Sequence, residues 1–500
     1  MQSQQLITVV FPGPDRAWAA WIARTLEAHG QRTSLHRWDP PREQDLTEAL
    51  GDLLLTSGPV LLVLSERFFQ LGPRREGEWD EALRGLVARN AGRFAAVALT
   101  DLPLSTAAAL LEPVDLRGLD ATEAERRLLA RLDLEATPRE NPNPRELVGA
   151  RYPNDPPAVW GGVPRRNPRF TGRDELLARV QRTLMDAEPG ASVCALVGMA
   201  GIGKTQVAVE YAHRYGSDYD VVWWIDADRR ATLRERLAEL AAALDLDTGP
   251  EIGERVRAVR EALRTGEPYR RWLLVLDGWE EPEGADGLLP QGSPGHVLIT
   301  SRNRAWRTSA EVVEMPGFDR AESTGYLLRR APHLSADEAE EVAAELGDLP
   351  LALTQAASVL AESRMDAAEY LRRLRDGTTD LEGSEATLAA WSLVLNQLRA
   401  SAPSSYALLR LCAAFAPGRI PIGLVSGLPA AELPESLRWI VSEPQGWARA
   451  LDTLVGYSVL TRERPGGFPD GPDAQQEAVR MHPVVHSMIG RLTGDEDRAA

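Results

Sequence analysis

The sequence predicts an α/β chain with two doubly wound parallel sheets in succession, followed by a helical region. Three observations predict it. Short apolar runs alternate with amphipathic helical patterns twice, before residue 133 and again from Phe170. A glycine-rich loop, Gly198–Thr205, lies between an apolar strand and a helix. From Asp319 onward the pattern is helical.

In the first unit, Leu6–Phe11 reads as a strand and Arg16–Ala28 as an amphipathic helix. Ser34–Trp38, Val60–Ser65 and Phe94–Thr100 read as further strands, and Gln44–Leu55, Trp79–Ala88 and Ala121–Leu132 as helices. Repeated β-α units of this length predict a parallel sheet covered on both faces. Eight prolines between Pro138 and Pro168 then forbid a helix or a central strand, so this stretch reads as an extended linker. The second unit has strands at Ser192–Val197, Asp220–Asp226, Trp272–Leu276 and His296–Thr300, with a helix at Thr205–Arg214. Helices are expected at Arg320–Arg330, Ala336–Leu346, Leu351–Glu362 and Asp366–Arg375, then a mainly helical tail from Thr387.

The expected domains are 1–135, a linker at 136–165, 166–312, 313–380 and 381–500. A net charge of −17 argues against nucleic acid as a partner, because phosphate neutralisation needs basic surface. Cys194 and Cys412, far apart in sequence, suit a reducing cytoplasm and make no disulfide framework. No run of about 18 apolar residues is present, so no membrane span is expected.

Lys204 is the only lysine in 500 residues; every other member of the 56 basic residues is arginine. It sits in Gly198-Met199-Ala200-Gly201-Ile202-Gly203-Lys204-Thr205, which fits the phosphate-loop pattern G-x-x-x-x-G-K-[ST]. Lysine is a compact point charge where arginine is a wide planar fork, and a loop wrapped round a polyphosphate has room for the first. The backbone N–H groups of Gly198, Gly201 and Gly203 and the helix N-terminus would cradle phosphate oxygens. Lys204 would reach the β and γ phosphates, and Thr205 would hold Mg²⁺. Asp277 ends the apolar run Trp272–Leu276 and is the expected second Mg²⁺ residue. Arg302 ends the next strand and would report on the γ-phosphate.

These residues resemble the NB-ARC switch ATPases. Phe170-Thr171-Gly172-Arg173, the phosphate loop, Leu273–Asp277, Thr300-Ser301-Arg302, Leu346–Leu351 and Met481-His482-Pro483 follow in the order of that family, over roughly residues 166–495. The resemblance implies ATP and ADP as ligands. It implies that Phe170 and Arg173 flank the adenine, that Pro350 packs near it, and that His482 of a winged helix contacts the β-phosphate of ADP. Two departures stand out. Gly278 follows Asp277 where many relatives carry a second acid, leaving Glu280 and Glu281 as substitutes and implying slow hydrolysis. Proline follows His482 in place of the common aspartate. His486, one turn later, reads as structural.

The first domain shares its sheet pattern with receivers, flavodoxins and TIR domains. Phe11-Pro12-Gly13-Pro14 supplies neither a receiver's acidic pair nor a flavin phosphate loop. Gly13–Ala19, Arg37-Trp38-Asp39, Leu64–Phe69 and Glu78-Trp79 resemble bacterial TIR domains. The combination is similar to actinobacterial TIR–NB-ARC–tetratricopeptide proteins of the FxSxx-COOH system type, here without the repeat region. The resemblance implies NAD as a substrate, Glu78 as the carboxylate that stabilises an oxocarbenium-like centre, and Trp38 or Phe11 stacking on the nicotinamide. The loop after Trp38, Asp39-Pro40-Pro41-Arg42-Glu43, lacks the glycine usual in that family. The expected whole is an ATP/ADP-dependent switch that self-associates to cluster its N-terminal domains, under a trigger or sensor protein lost from the C-terminal side or supplied in trans. A non-enzymatic scaffold and a winged-helix transcription regulator are the rival expectations.

Overall fold

The computed structural model describes residues 6–38, 45–56, 58–69, 78–89, 92–100, 106–134, 151–185, 192–283, 285–290, 294–377, 385–415, 418–426, 437–439, 444–463, 478–481, 485–487 and 489.

The N-terminal domain is a five-stranded parallel sheet in the order β2-β1-β3-β4-β5. Its strands are β1 (Leu6–Phe11), β2 (Arg32–Arg37), β3 (Val60–Leu64), β4 (Phe94–Ala98) and β5 (Val114–Asp115). β3 is buried along its whole length, as a strand covered on both faces must be. Successive side chains of β1 alternate between two apolar cores. Val10 joins Trp38, Leu50 and Phe68, whereas Val9 and Phe11 join Trp21, Ile22 and Leu128.

The second domain is a six-stranded parallel sheet in the order β11-β7-β10-β9-β8-β6. Its strands are β6 (Val159–Gly161), β7 (Ser192–Val197), β8 (Val221–Asp226), β9 (Trp272–Asp277), β10 (His296–Ser301) and β11 (Glu311–Glu314). Because β10 lies between β7 and β9, its C-terminal end is interposed between the glycine-rich loop and Asp277. Trp272 and Trp306 are fully buried, and their indole N–H groups donate to Leu263 O and Trp279 O, each at 2.9 Å. The second bond ties the turn after Asp277 to the turn after Arg302.

A helical domain follows, with helices Arg320–Arg330, Ala336–Glu345, Pro350–Ser363 and Ala367–Gly377. The first two carry complete capping boxes, Asp319 with Glu322 and Ser335 with Glu338. The last region has helices Glu385–Ser401, Pro403–Ala413 and Pro444–Gly456 and a three-stranded antiparallel sheet, order β12-β14-β13, of β12 (Gly418–Pro421), β13 (Leu460–Glu463) and β14 (Ala478–Met481). Two helices, β12, the helices Ile422–Ser426 and Pro444–Gly456, and the antiparallel pair β13–β14 follow one another as in a winged-helix arrangement. One apolar core runs through it and the helical domain, from Leu327 to Ile489.

Within the stretch expected to be a linker, the described residues from 151 onward pack against both domains. Tyr152 packs edge-on against Trp18 and Trp21, with ring centroids 5.4 and 5.0 Å away, while Arg151 donates to Tyr219 O at 2.9 Å. β6 adds to the edge of the second sheet beside β8. Its prolines flank this short strand, where no ladder N–H is required. The two domains also meet directly. Gln181 Nε2 donates to Gly13 O at 2.9 Å, and Arg16 lies 3.5 Å from buried Asp218.

Candidate nucleotide site

β7 delivers the chain into the loop, and helix Lys204–Tyr215 starts immediately after it. Gly201 and Gly203 take φ of +76° and +96°, which only glycine adopts without strain. A Cβ on Gly201 would come within 2.8 Å of Leu351 Cδ2, so the helical domain lies directly on the loop. Pro350 is the first residue of that helix, where its missing N–H costs nothing. A Cβ on Gly198 would sit 3.2 Å from Met315 O.

Lys204 Nζ donates to Gly198 O and Met199 O, both at 2.9 Å, so the ammonium folds back over its own loop. Burial lowers its pKa, opposed by the nearby Glu280 carboxylate. Asp277 Oδ1 accepts from Thr205 Oγ1 at 2.8 Å and from Thr300 Oγ1 at 2.5 Å. Thr300 Oγ1 also accepts from Gly278 N at 2.8 Å, fixing the turn after Asp277. Burial raises the Asp277 pKa, and the Thr300 and Thr205 hydrogen bonds pull the other way. Thr205 and Asp277 together present hard oxygen donors at the head of the loop, which suits Mg²⁺.

Arg302 is exposed and committed to Glu280: Nε donates to Oε1 at 3.0 Å, and the Arg302 backbone N–H donates to both carboxylate oxygens. Ser301 Oγ donates to the same carboxylate at 3.1 Å. Glu280, the expected substitute for a second acid, therefore serves the end of β10. Phe170 is half-buried and packs with Leu349 on the core beneath the loop helix. Arg173 is buried. At φ +62°, it donates to Gly317 O at 3.0 Å and covers the Phe318 ring at 4.7 Å, while its backbone N–H donates to Glu322 at 2.6 Å. These contacts hold it to the start of the helical domain. His482 lies outside the described residues. His486 shares a 2.9 Å hydrogen bond with Phe415 O, as a structural residue does.

Sequence reasoning missed three residues here: Thr300, Asp226 and Arg480. Asp226 ends β8 in register with Asp277, and Arg480 Nη2 of β14 approaches its Oδ2 at 3.4 Å. Val221–Asp226 and Trp272–Asp277 are each five buried residues ending in a half-buried aspartate.

In the N-terminal domain the aromatic candidates do not converge. Trp38 is 5% exposed, stacks on Phe68 at 5.1 Å and donates to Ala49 O at 3.3 Å. Phe11 is also 5% exposed, in the core on the opposite face of the sheet. Both rings are core side chains, which corrects the expectation that either one offers a face to a nicotinamide. Glu78 is half-buried at the first residue of helix Glu78–Arg89.

Two family models match: the TIR domain over residues 7–130 and the NB-ARC domain over residues 173–316. This chain carries a TIR domain followed by an NB-ARC domain. It is 25% identical over 233 residues to a nucleotide-binding leucine-rich repeat (NLR)-like protein of Hyaloscypha variabilis, covering 41% of this chain and 24% of that protein. Regulatory protein AfsR of Streptomyces griseus is 28% identical over 327 residues, 61% of this chain and 32% of that one. Apoptotic protease-activating factor 1 of Danio rerio is 28% identical over 236 residues, 43% of this chain and 18% of that one. The chain thus spans under a third of the length of each of these relatives. None of the described helices is long and apolar enough to cross a membrane.

Proposed function

We propose that this chain is an ATP/ADP-dependent signalling switch in which the NB-ARC domain binds the nucleotide and the helical and winged-helix domains respond to it. One observation carries the reading: both later domains touch the edge of the sheet that bears the site, Leu351 against Gly201 of the loop and Arg480 against Asp226, the register partner of Asp277. A ligand that binds the two arrangements of these domains unequally shifts their balance by that difference in affinity. Lys204, with Gly198, Gly201 and Gly203, would hold the phosphates, and Thr205 and Asp277 the Mg²⁺. The ion would neutralise phosphate charge. Phe170, Pro350 and Arg173 would border the base, Arg302 would report on the γ-phosphate, and His482 on the β-phosphate.

The open form would self-associate and bring TIR domains together at high local concentration. NAD cleavage is the enzymatic arm of this proposal and rests on Glu78. Nicotinamide release by the assembled wild type, lost in Glu78→Ala, is the expected result. No release from the assembled wild type leaves the TIR domain as a non-enzymatic effector. For the switch itself, calorimetric titration should show ADP and MgATP binding to wild type and a loss of roughly 100-fold or more in Lys204→Ala, the scale of losing a charge-assisted phosphate contact. Equal affinity in the two proteins would defeat the reading.

A further inference from the structure

We infer that Asp226 is the second acid of the nucleotide site, the group that accepts the proton of the attacking water, and that Arg480 of the winged helix withholds it in this closed arrangement. The inference rests on the proposed nucleotide reading and assigns a role to a residue outside the motifs that suggested it.

Register places Asp226 beside Asp277. β8 and β9 pair in parallel from Val221 with Trp272 to Asp226 with Asp277, so the two carboxylates leave the sheet at the same level. Alternation then decides the face. Val222 and Trp224 share one apolar core with Leu273, Val275 and the loop helix residues Val207, Ala208 and Tyr211. Asp226 and Asp277 follow in the same alternation and so project on the side of the loop helix. Neighbouring strands stand roughly 4.8 Å apart, so Asp226 stands one strand beyond Asp277 along the same edge of the sheet. Of the other acids near this position, Glu280 is held by Ser301 and Arg302, and Asp228, beside Gly278, lies 3.9 Å from Arg229 Nε.

Arg480 Nη2 lies 3.4 Å from Asp226 Oδ2, and Trp224 Nε1 donates to Oδ1 at 3.3 Å. Both partners of the ion pair are partly exposed, at 33% and 46% of their side chains. A pair of this kind contributes little to stability, which makes it a contact that domain movement can break. With Arg480 on it, Oδ2 of Asp226 is taken up by the guanidinium. With Arg480 gone, it is free to take a proton. In the step proposed, the water oxygen bonds to the γ-phosphorus as the bond from that phosphorus to the β,γ-bridging oxygen breaks. One water proton passes to Asp226 and then to the departing inorganic phosphate. ATP and water become ADP and phosphate, and no further reactant is required.

The test is a cycle of Asp226→Asn, Arg480→Ala and the double variant in the full chain, with single-turnover ATP hydrolysis and ATP affinity measured separately. Asp226→Asn should lower the hydrolysis rate by roughly 100-fold, the scale of a lost general base, with ATP affinity changed less than about threefold. Arg480→Ala should raise the rate in wild type and leave it unchanged in the Asp226→Asn background. Without nucleotide, amide exchange over Ala478–Met481 should quicken in both single variants, since each breaks the same contact. Hydrolysis by Asp226→Asn at the wild-type rate overturns the inference, as does an Arg480→Ala gain that persists without Asp226, or no hydrolysis in either wild type or Arg480→Ala. Failure of wild type to bind ATP at all would instead strike the nucleotide reading beneath it.

Discussion

The phosphate-loop edge of the NB-ARC sheet and the β1 edge of the TIR sheet have the same architecture and opposite use of it. Both are parallel sheets whose strands run into a glycine-bearing turn and a helix. In the NB-ARC domain, Thr205, Asp277 and Thr300 form one hydrogen-bonded group, and the Lys204 ammonium bonds to the loop carbonyls of Gly198 and Met199. In the TIR domain, Phe11 and Trp38 diverge into cores on opposite faces of the sheet. A half-buried carboxylate tied by hydroxyls is destabilising to hold and useful to a ligand. A buried indole stacked on phenylalanine is a packing element first. The contrast teaches that an aromatic at the ligand edge of a sheet identifies a site only when its face is known.

The largest effect that would break this comparison is at Trp38. Trp38→Ala should cost the TIR domain about 3–5 kcal/mol, as buried aromatic truncations do, read from the first transition in a denaturant titration. Unchanged stability with weakened NAD binding would return Trp38 to the ligand. The converse variant is Asp277→Asn. Burial opposes its charge, so the melting temperature without nucleotide should hold or rise, while MgATP affinity falls roughly 100-fold, or about 3 kcal/mol. A large drop in melting temperature would make Asp277 structural.

At the start of β10 in the NB-ARC sheet, His296 accounts for an acid-sensitive contribution. Burial lowers its pKa from 6.5 to about 4, where its Nδ1 meets Tyr219 OH at 2.9 Å. The folded state therefore disfavours the protonated ring. Stability is intact above pH 6.5 and declines as pH falls toward 4, by about 2 kcal/mol at pH 5. His296→Phe should flatten this limb of the pH–stability curve; an unaltered limb would assign the loss to other groups. The smallest effect is at Arg302. Its exposed pair with Glu280 should contribute under about 1 kcal/mol, so Arg302→Ala should leave stability nearly unchanged. Its value lies in the ligand comparison, where a γ-phosphate reporter loses ATP affinity and keeps ADP affinity.

Elements with strong periodicity were legible from sequence. Leu6–Phe11, Arg16–Ala28, Ser192–Val197 and Arg320–Arg330 fall on their expected bounds. β5, β6 and β11 were not, because they are two to four residues long, lie at sheet edges and carry few apolar side chains. Lys204, Thr205 and Asp277 stood out because a local pattern marks each of them. Asp226 did not, because its importance comes from register with a strand far along the chain, and register is a tertiary property. Trp38 and Phe11 were misread for the same reason: residue type was visible and the face it occupies was not.

The central claim is that the later domains read what the phosphate loop holds. Amide exchange over Ala478–Met481 and the first turn of Pro350–Ser363, compared with ADP and with a non-hydrolysable ATP analogue bound, tests it most directly. The account predicts strong protection of both segments with ADP, faster exchange with the analogue, and no difference in Lys204→Ala. Identical exchange with the two nucleotides, in wild type shown to bind both, would contradict it.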